Sequence, residues 1–147
     1  YNPMEAHYYN VDISWKNDRK GEMSSPELLQ SIEIATPPQF TKGIEGIWSP
    51  EHLFTAAVSS CLMTTFLAIA ENSKLEFENF ECKSKGKLEQ VEGKFLMTEV
   101  ILEPVVTIKN ESDREKAEKV LQKSEANCLI SNSVKSKITM ISEIKLA

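Results

Sequence analysis

Several chemical devices are missing from this chain. Its three cysteines are an odd number with no C-x-x-C spacing, so they do not form the disulfide framework of a small secreted domain. Two histidines without paired spacing make no zinc site, and neither a metal nor a cofactor is expected. Lysine and arginine are scattered, and a formal net charge of −5 argues against a nucleic-acid surface, which needs clustered cations on phosphates. No charged segment leads into an apolar run at the start, so nothing marks the chain for export. The expectation is a cytoplasmic protein with its thiols reduced at rest. Repeats, linkers and low-complexity tracts are absent too. What remains is ordinary globular composition, 41% hydrophobic and 27% charged over 147 residues, enough for one domain spanning 1–147.

One uncharged run dominates the sequence. Ser49 suits an N-cap, Pro50 the first helical position and Glu51 the positive end of the dipole, so a long helix is predicted from here to about Glu71. No residue from Leu53 to Ala70 is charged, and apolar or small side chains fall on every face, which predicts a helix buried all round. Its length brushes the lower limit for a membrane span, but it holds six Ser, Thr and Cys residues in a polar chain, and no membrane partner is expected. Cys61 lies near its middle.

The flanking segments alternate differently. His7, Tyr9, Val11, Ile13 and Trp15 take every second position, as in a half-buried strand. Turn residues Asn17 to Gly21 follow, and Glu22 to Ser25 and Leu28 to Ala35 complete a small antiparallel meander. Thr36-Pro37-Pro38 ends it, and a loop from Phe40 to Trp48 leads into the helix. Beyond Glu71, Leu75 to Glu92 and Lys94 to Ile108 read as a hairpin turning near Val91-Glu92-Gly93; Val100-Ile101-Leu102 suggests cover on both faces. Ser112 to Glu115 fits a capping box, and Ala117, Val120, Leu121 and Ser124 give a second helix one apolar or small face, ending near Asn127. A final strand carries Ile138, Met140 and Ile144. The order of elements is that of an α+β domain, with antiparallel sheets around a long central helix and a second helix.

Two motifs carry a family resemblance. Ser49-Pro50-Glu51-His52-Leu53-Phe54-Thr55-Ala56-Ala57-Val58-Ser59-Ser60-Cys61, with Ala126-Asn127-Cys128-Leu129-Ile130-Ser131-Asn132 about seventy residues later, resembles the OsmC/Ohr family of thiol peroxidases. The likeness runs from about Val11 to Leu146, and Asn17 to Gly21 with Ile34 to Pro37 resembles the Ohr branch. Leu129 departs from it, standing where family members usually have proline.

The resemblance implies an OsmC-like fold and a cysteine-based, antioxidant reduction of organic hydroperoxides in an oxidative stress response. Cys61 would be the peroxidatic thiolate, Cys128 the resolving thiol, and a dithiol such as a lipoyl protein the reductant. Only a thiolate is strongly nucleophilic, and a disulfide halts over-oxidation. A thiolate in an apolar helix needs a stabilising group; Arg19 is the candidate cation, with Glu51 holding its guanidinium. Glu51 lies ten residues before Cys61, roughly 15 Å along the helix. If both belong to one site, an intertwined homodimer supplies Glu51 from the other chain.

Plainer roles exist for each residue. A buried Cys is usually a small core hydrophobe, Arg19 in a turn a solvated charge and Glu51 a dipole partner. Cys82 reads as structural, and Ser59 and Ser60 as packing residues. His52, nine residues from Cys61, falls on another helix face, which rejects a Cys–His dyad within one chain. Phe40, Ile44, Ile47 and Trp48 are candidates to line an apolar substrate pocket, or are loop side chains anchored to the core. On the same scaffold, a redox sensor, a binding protein for an apolar ligand, or a dimeric structural protein with an incidental cysteine pair are the other functional classes.

Overall fold

Turn chemistry shapes the first part of the chain. In the computed structural model, which describes residues 5–147, β1 (Asp12–Asn17) and β2 (Lys20–Ser24) pair antiparallel around Asp18, whose φ of 46° is left-handed. The Trp15 indole donates to the Asp18 carbonyl (3.0 Å). β3 (Ile32–Ala35) completes the meander in the order β1-β2-β3. Two strands begin later than their apolar patterns predict. A Glu27 carboxylate captures the Asn10 amide (2.9 Å), and Leu28 N–H turns back to the Ser25 carbonyl (3.2 Å), so neither flank can join the ladder. All of β1 is exposed: the predicted half-buried alternation meets no covering layer. This unit ends at Pro50, and the remainder, Glu51–Ala147, is a second compact unit.

The second unit is organised by α1 (Pro50–Asn72). It ends where Ser73 and Leu75 amides bond the Ile69 and Ala70 carbonyls and Lys74 turns left-handed at φ 56°. The polar hydroxyls of this apolar helix bond its own carbonyls, Thr55 to Glu51 (2.9 Å) and Thr64 to Cys61 (3.2 Å) among them. By length and composition α1 could cross a membrane, with mean hydropathy 1.9 in its most apolar window. Its inner face, Val58, Cys61, Leu62, Phe66 and Ala70, is buried in this unit. The outer face is not: Met63 is 39% and Leu67 43% exposed, beside exposed Ser60, Thr64 and Ala68. The expectation of burial on every side is therefore corrected, because one sheet and one short helix can cover only one side of it.

β4 (Asn79–Val91) and β5 (Lys94–Ile108) form the predicted hairpin, joined by Glu92 and Gly93 with φ of 49° and 81°, the pair of left-handed residues a two-residue turn requires. β6 (Lys137–Met140) and β7 (Glu143–Leu146) both add parallel to β5, so the final segment is two short strands in a mixed sheet. On β5 the even residues from Val100 to Ile108 are buried and the odd ones half-buried, so cover is unequal on the two faces. Phe66 packs on Phe77 and Phe80 with ring centroids 5.1 and 4.9 Å apart. Gly86 lets β4 approach α1: a Cβ there would lie 2.0 Å from Thr55 Oγ1.

α2 (Arg114–Ala126) buries Ala117, Val120, Leu121 and Ser124, the face read from its periodicity. The predicted capping box does not form. A 3-10 turn, Glu111–Asp113, precedes the helix, no side chain caps it, and Arg114 instead binds Glu111 (Nη2 to Oε2, 3.0 Å) and the Ile144 carbonyl (2.9 Å).

Candidate functional site

Two of the three thiols meet. Cys61 sits on the buried face of α1, 8% exposed, and Cys128, just past the end of α2, is fully buried. The Cys128 side chain is a hydrogen-bond partner of the Cys61 sulfur, and its own thiol points to the Val58 carbonyl one turn earlier on α1 (4.0 Å). Thr65, one turn after Cys61, places Oγ1 3.9 Å from its sulfur. The turn after Cys128 adds the backbone amides of Ile130 and Leu129.

These neighbours divide the two sulfurs electrostatically. Burial by itself pushes the Cys61 thiol up, but the Ile130 amide, the Cys128 side chain, the Thr65 hydroxyl and the Leu129 amide together bring it below an ordinary thiol. Cys128 moves the other way. Burial raises it, proximity to Cys61 adds to that, and the amide and hydroxyl of Ser131 offset only part. The arrangement favours ionisation of Cys61 over that of Cys128.

Cys82, on β4, packs with Val58, Leu62, Val100 and Leu102, and its sulfur faces Ser84 Oγ at 3.6 Å. Glu51 is in the first turn of α1, and its Oε1 is buried with no hydrogen-bond partner among the described residues. Arg19 belongs to the first unit, exposed at the β1–β2 turn, where its carbonyl accepts from Thr36 N–H (3.2 Å). Phe40, Ile44, Ile47 and Trp48 belong to the loop that closes the first unit. Phe40 N–H bonds Pro37, Ile44 N–H bonds Thr36, and Trp48 accepts from Ala35 (2.9 Å). In that unit the sequence reading missed an open apolar groove of about 620 Å³ lined by Val11, Met23, Leu28, Leu29 and Ile32.

Comparison with known proteins decides the family. A profile of OsmC-like proteins matches residues 43–143, a stretch that contains both thiols of the pair. The chain belongs to the OsmC-like family. It is 27% identical to the uncharacterized protein YmaD of Bacillus subtilis across 93% of each chain. Its fold is that of an OsmC-like protein of unknown function from Vibrio cholerae, with a TM-score of 0.82 and 24% identity over 93% of this chain and 99% of that one. An organic hydroperoxide resistance protein from Legionella pneumophila superposes with a TM-score of 0.76 and 21% identity, covering 96% of this chain and 98% of that one. Within this OsmC-like chain, Thr65 was detectable from its spacing of four to Cys61. The part played by the backbone at Leu129 and Ile130 was not, since neither side chain announces it.

Proposed function

We propose that the protein is a thiol peroxidase that reduces organic hydroperoxides to alcohols. The observation that carries this reading is the meeting of two buried thiols, Cys61 on α1 and Cys128 just past α2, with burial and neighbours together lowering the first and raising the second. The Cys61 thiolate attacks a peroxide oxygen, the O–O bond breaks heterolytically, and the alkoxide takes a proton to leave as the alcohol, giving a Cys61 sulfenic acid. Cys128 then attacks that sulfur, an S–S bond forms, and the hydroxyl leaves as water. A dithiol donor, of which a lipoyl protein is one, returns both thiols by exchange. Structural relatives called organic hydroperoxide resistance proteins support the substrate class.

The active form is a cytoplasmic homodimer. The exposed apolar stripe of α1 supports the dimer, as does the buried Glu51 oxygen, which has no hydrogen-bond partner among the described residues and which a guanidinium such as that of Arg19 would satisfy. Phe40, Ile44, Ile47 and Trp48 would then line the apolar substrate pocket. Mixing inactive Cys61→Ser chains with inactive Glu51→Ala chains should restore one complete site per mixed dimer.

The deciding experiment is peptide mapping after one equivalent of tert-butyl or fatty-acid hydroperoxide, followed by turnover with a lipoyl dithiol. A Cys61–Cys128 disulfide with Cys82 free, and dithiol consumed catalytically, is the expected result. Disulfide formation without turnover would favour a redox sensor on the same scaffold; no peroxide reaction at all would leave the apolar-ligand-binding reading.

A further inference from the structure

The serine and threonine hydroxyls of α1 are spent on the helix itself, with one exception. Thr55 donates to the Glu51 carbonyl (2.9 Å), Thr64 to that of Cys61 (3.2 Å), and Ser59 and Ser60 to those of Ala56 and Ala57 (3.4 Å each). Thr65 differs: its Oγ1 lies 3.9 Å from the Cys61 sulfur and bonds no carbonyl among the described residues. The carbonyl four positions back, which a threonine hydroxyl ordinarily reaches, is here that of Cys61, and the Thr64 hydroxyl already takes it. Side chains four apart on a helix share a face and lean toward its N-terminus, so Thr65 covers Cys61. Thr65 is half-buried, whereas Thr64 is exposed. Two adjacent threonines thus serve the same cysteine differently, Thr64 at its carbonyl and Thr65 at its sulfur.

We propose that the Thr65 hydroxyl is the hydrogen-bond partner that α1 itself supplies to the reacting sulfur, accepting from the Cys61 thiol and donating to its thiolate. A hydroxyl has one proton to give and two lone pairs to receive with, and it rotates, so one contact serves both states. A hydrogen bond to a charged acceptor is shorter and stronger than a neutral one, so the exchange of roles favours the thiolate. The lowered Cys61 thiol agrees with this direction. Cys128 is the titratable side chain acting on the same sulfur; Thr65 and the backbone at Leu129 and Ile130 are uncharged. The inference deepens the proposed site and rests on it only in taking Cys61 as the reacting sulfur.

The test reads ionisation without peroxide, so its failure is distinct from absence of peroxidase activity. Cys61 alkylation by iodoacetamide is followed against pH in the full-length protein. Thr65→Val exchanges the hydroxyl for a methyl and should move the alkylation midpoint up by about half to one pH unit, slowing alkylation about three- to tenfold below it. Thr65→Ser keeps the hydroxyl and should retain the original profile. Thr64→Val, which removes the neighbouring hydroxyl bonded to a carbonyl, should retain it too. In the unaltered protein the Thr65 methyl resonance should shift with the midpoint of Cys61 ionisation, a readout that stands even where the valine variant does not fold. An unmoved midpoint in Thr65→Val, equal displacement by Val and Ser at 65, an equal shift in Thr64→Val, or a methyl resonance indifferent to Cys61 ionisation would overturn the inference.

Discussion

Helices α1 and α2 each deliver one sulfur to the same turn, but different forces keep them in place. α2 is charged outside and apolar or small inside, and the four residues its periodicity selects, Ala117, Val120, Leu121 and Ser124, are those the second unit buries. α1 has no polar side to give to water. Val58, Leu62 and Phe66 are wholly buried, yet Met63 and Leu67 on the same helix stay exposed. An amphipathic helix states which face is inside; a uniformly apolar one does not say which of its faces will be covered. The chemistry follows this division. Cys61 sits mid-helix, and Cys128 lies just past the C-terminal end of α2, where the chain turns and both sulfurs are buried.

The comparison breaks most completely at the sulfur on α1. Cys61→Ser should cut peroxide turnover by about three orders of magnitude or more while leaving the melting temperature nearly unchanged, because it removes the nucleophile and little volume. Residual turnover near that of the unaltered protein, in a steady-state assay with tert-butyl hydroperoxide, would sink the mechanism. On the α2 side, Cys128→Ser should react once and then stop, with Cys61 gaining two or three oxygens because nothing traps its sulfenic acid. Intact-mass measurement after excess peroxide checks this; an unmodified Cys61 would count against the pairing.

Packing offers a finer contrast. Leu121→Ala on α2 should destabilise the fold by about 2–5 kcal/mol in chemical denaturation, since the side chain is fully buried and leaves a cavity. Leu67→Glu on the outer face of α1 should instead leave the circular dichroism spectrum intact and shift the sedimentation coefficient from dimer to monomer. If Leu67→Glu unfolds the chain outright, the exposed stripe is not an assembly surface.

The smallest effect is the pH dependence of stability. Cys61 is an acid whose folded pKa lies below the ordinary 9.0, so its contribution is full above that value and is lost as pH falls through the folded pKa. Cys128 is raised, so it lowers stability as pH climbs past 9.0. The two oppose each other in the unaltered protein. Urea midpoints across mildly alkaline pH should therefore rise with pH in Cys128→Ser and fall in Cys61→Ser, and parallel slopes would show that the sulfurs are not divided.

Much of this was legible in the residues because it was local. The Ser49-Pro50 start of α1, the Glu92-Gly93 turn and the buried face of α2 depend on backbone preferences and periodicity within a few positions. The motif around Cys61 and the one around Cys128 named the pair through family likeness. What the residues could not carry was anything that depends on distant partners. The capping box at Ser112 lost to an ion pair between Arg114 and Glu111, and the last apolar stretch became two strands parallel to β5. Most of all, the sequence allowed a thiolate at Cys61 but offered only a distant arginine to hold it. The turn after Cys128 that lowers it is brought against α1 by the fold of the second unit, and nothing local in either motif announces that meeting.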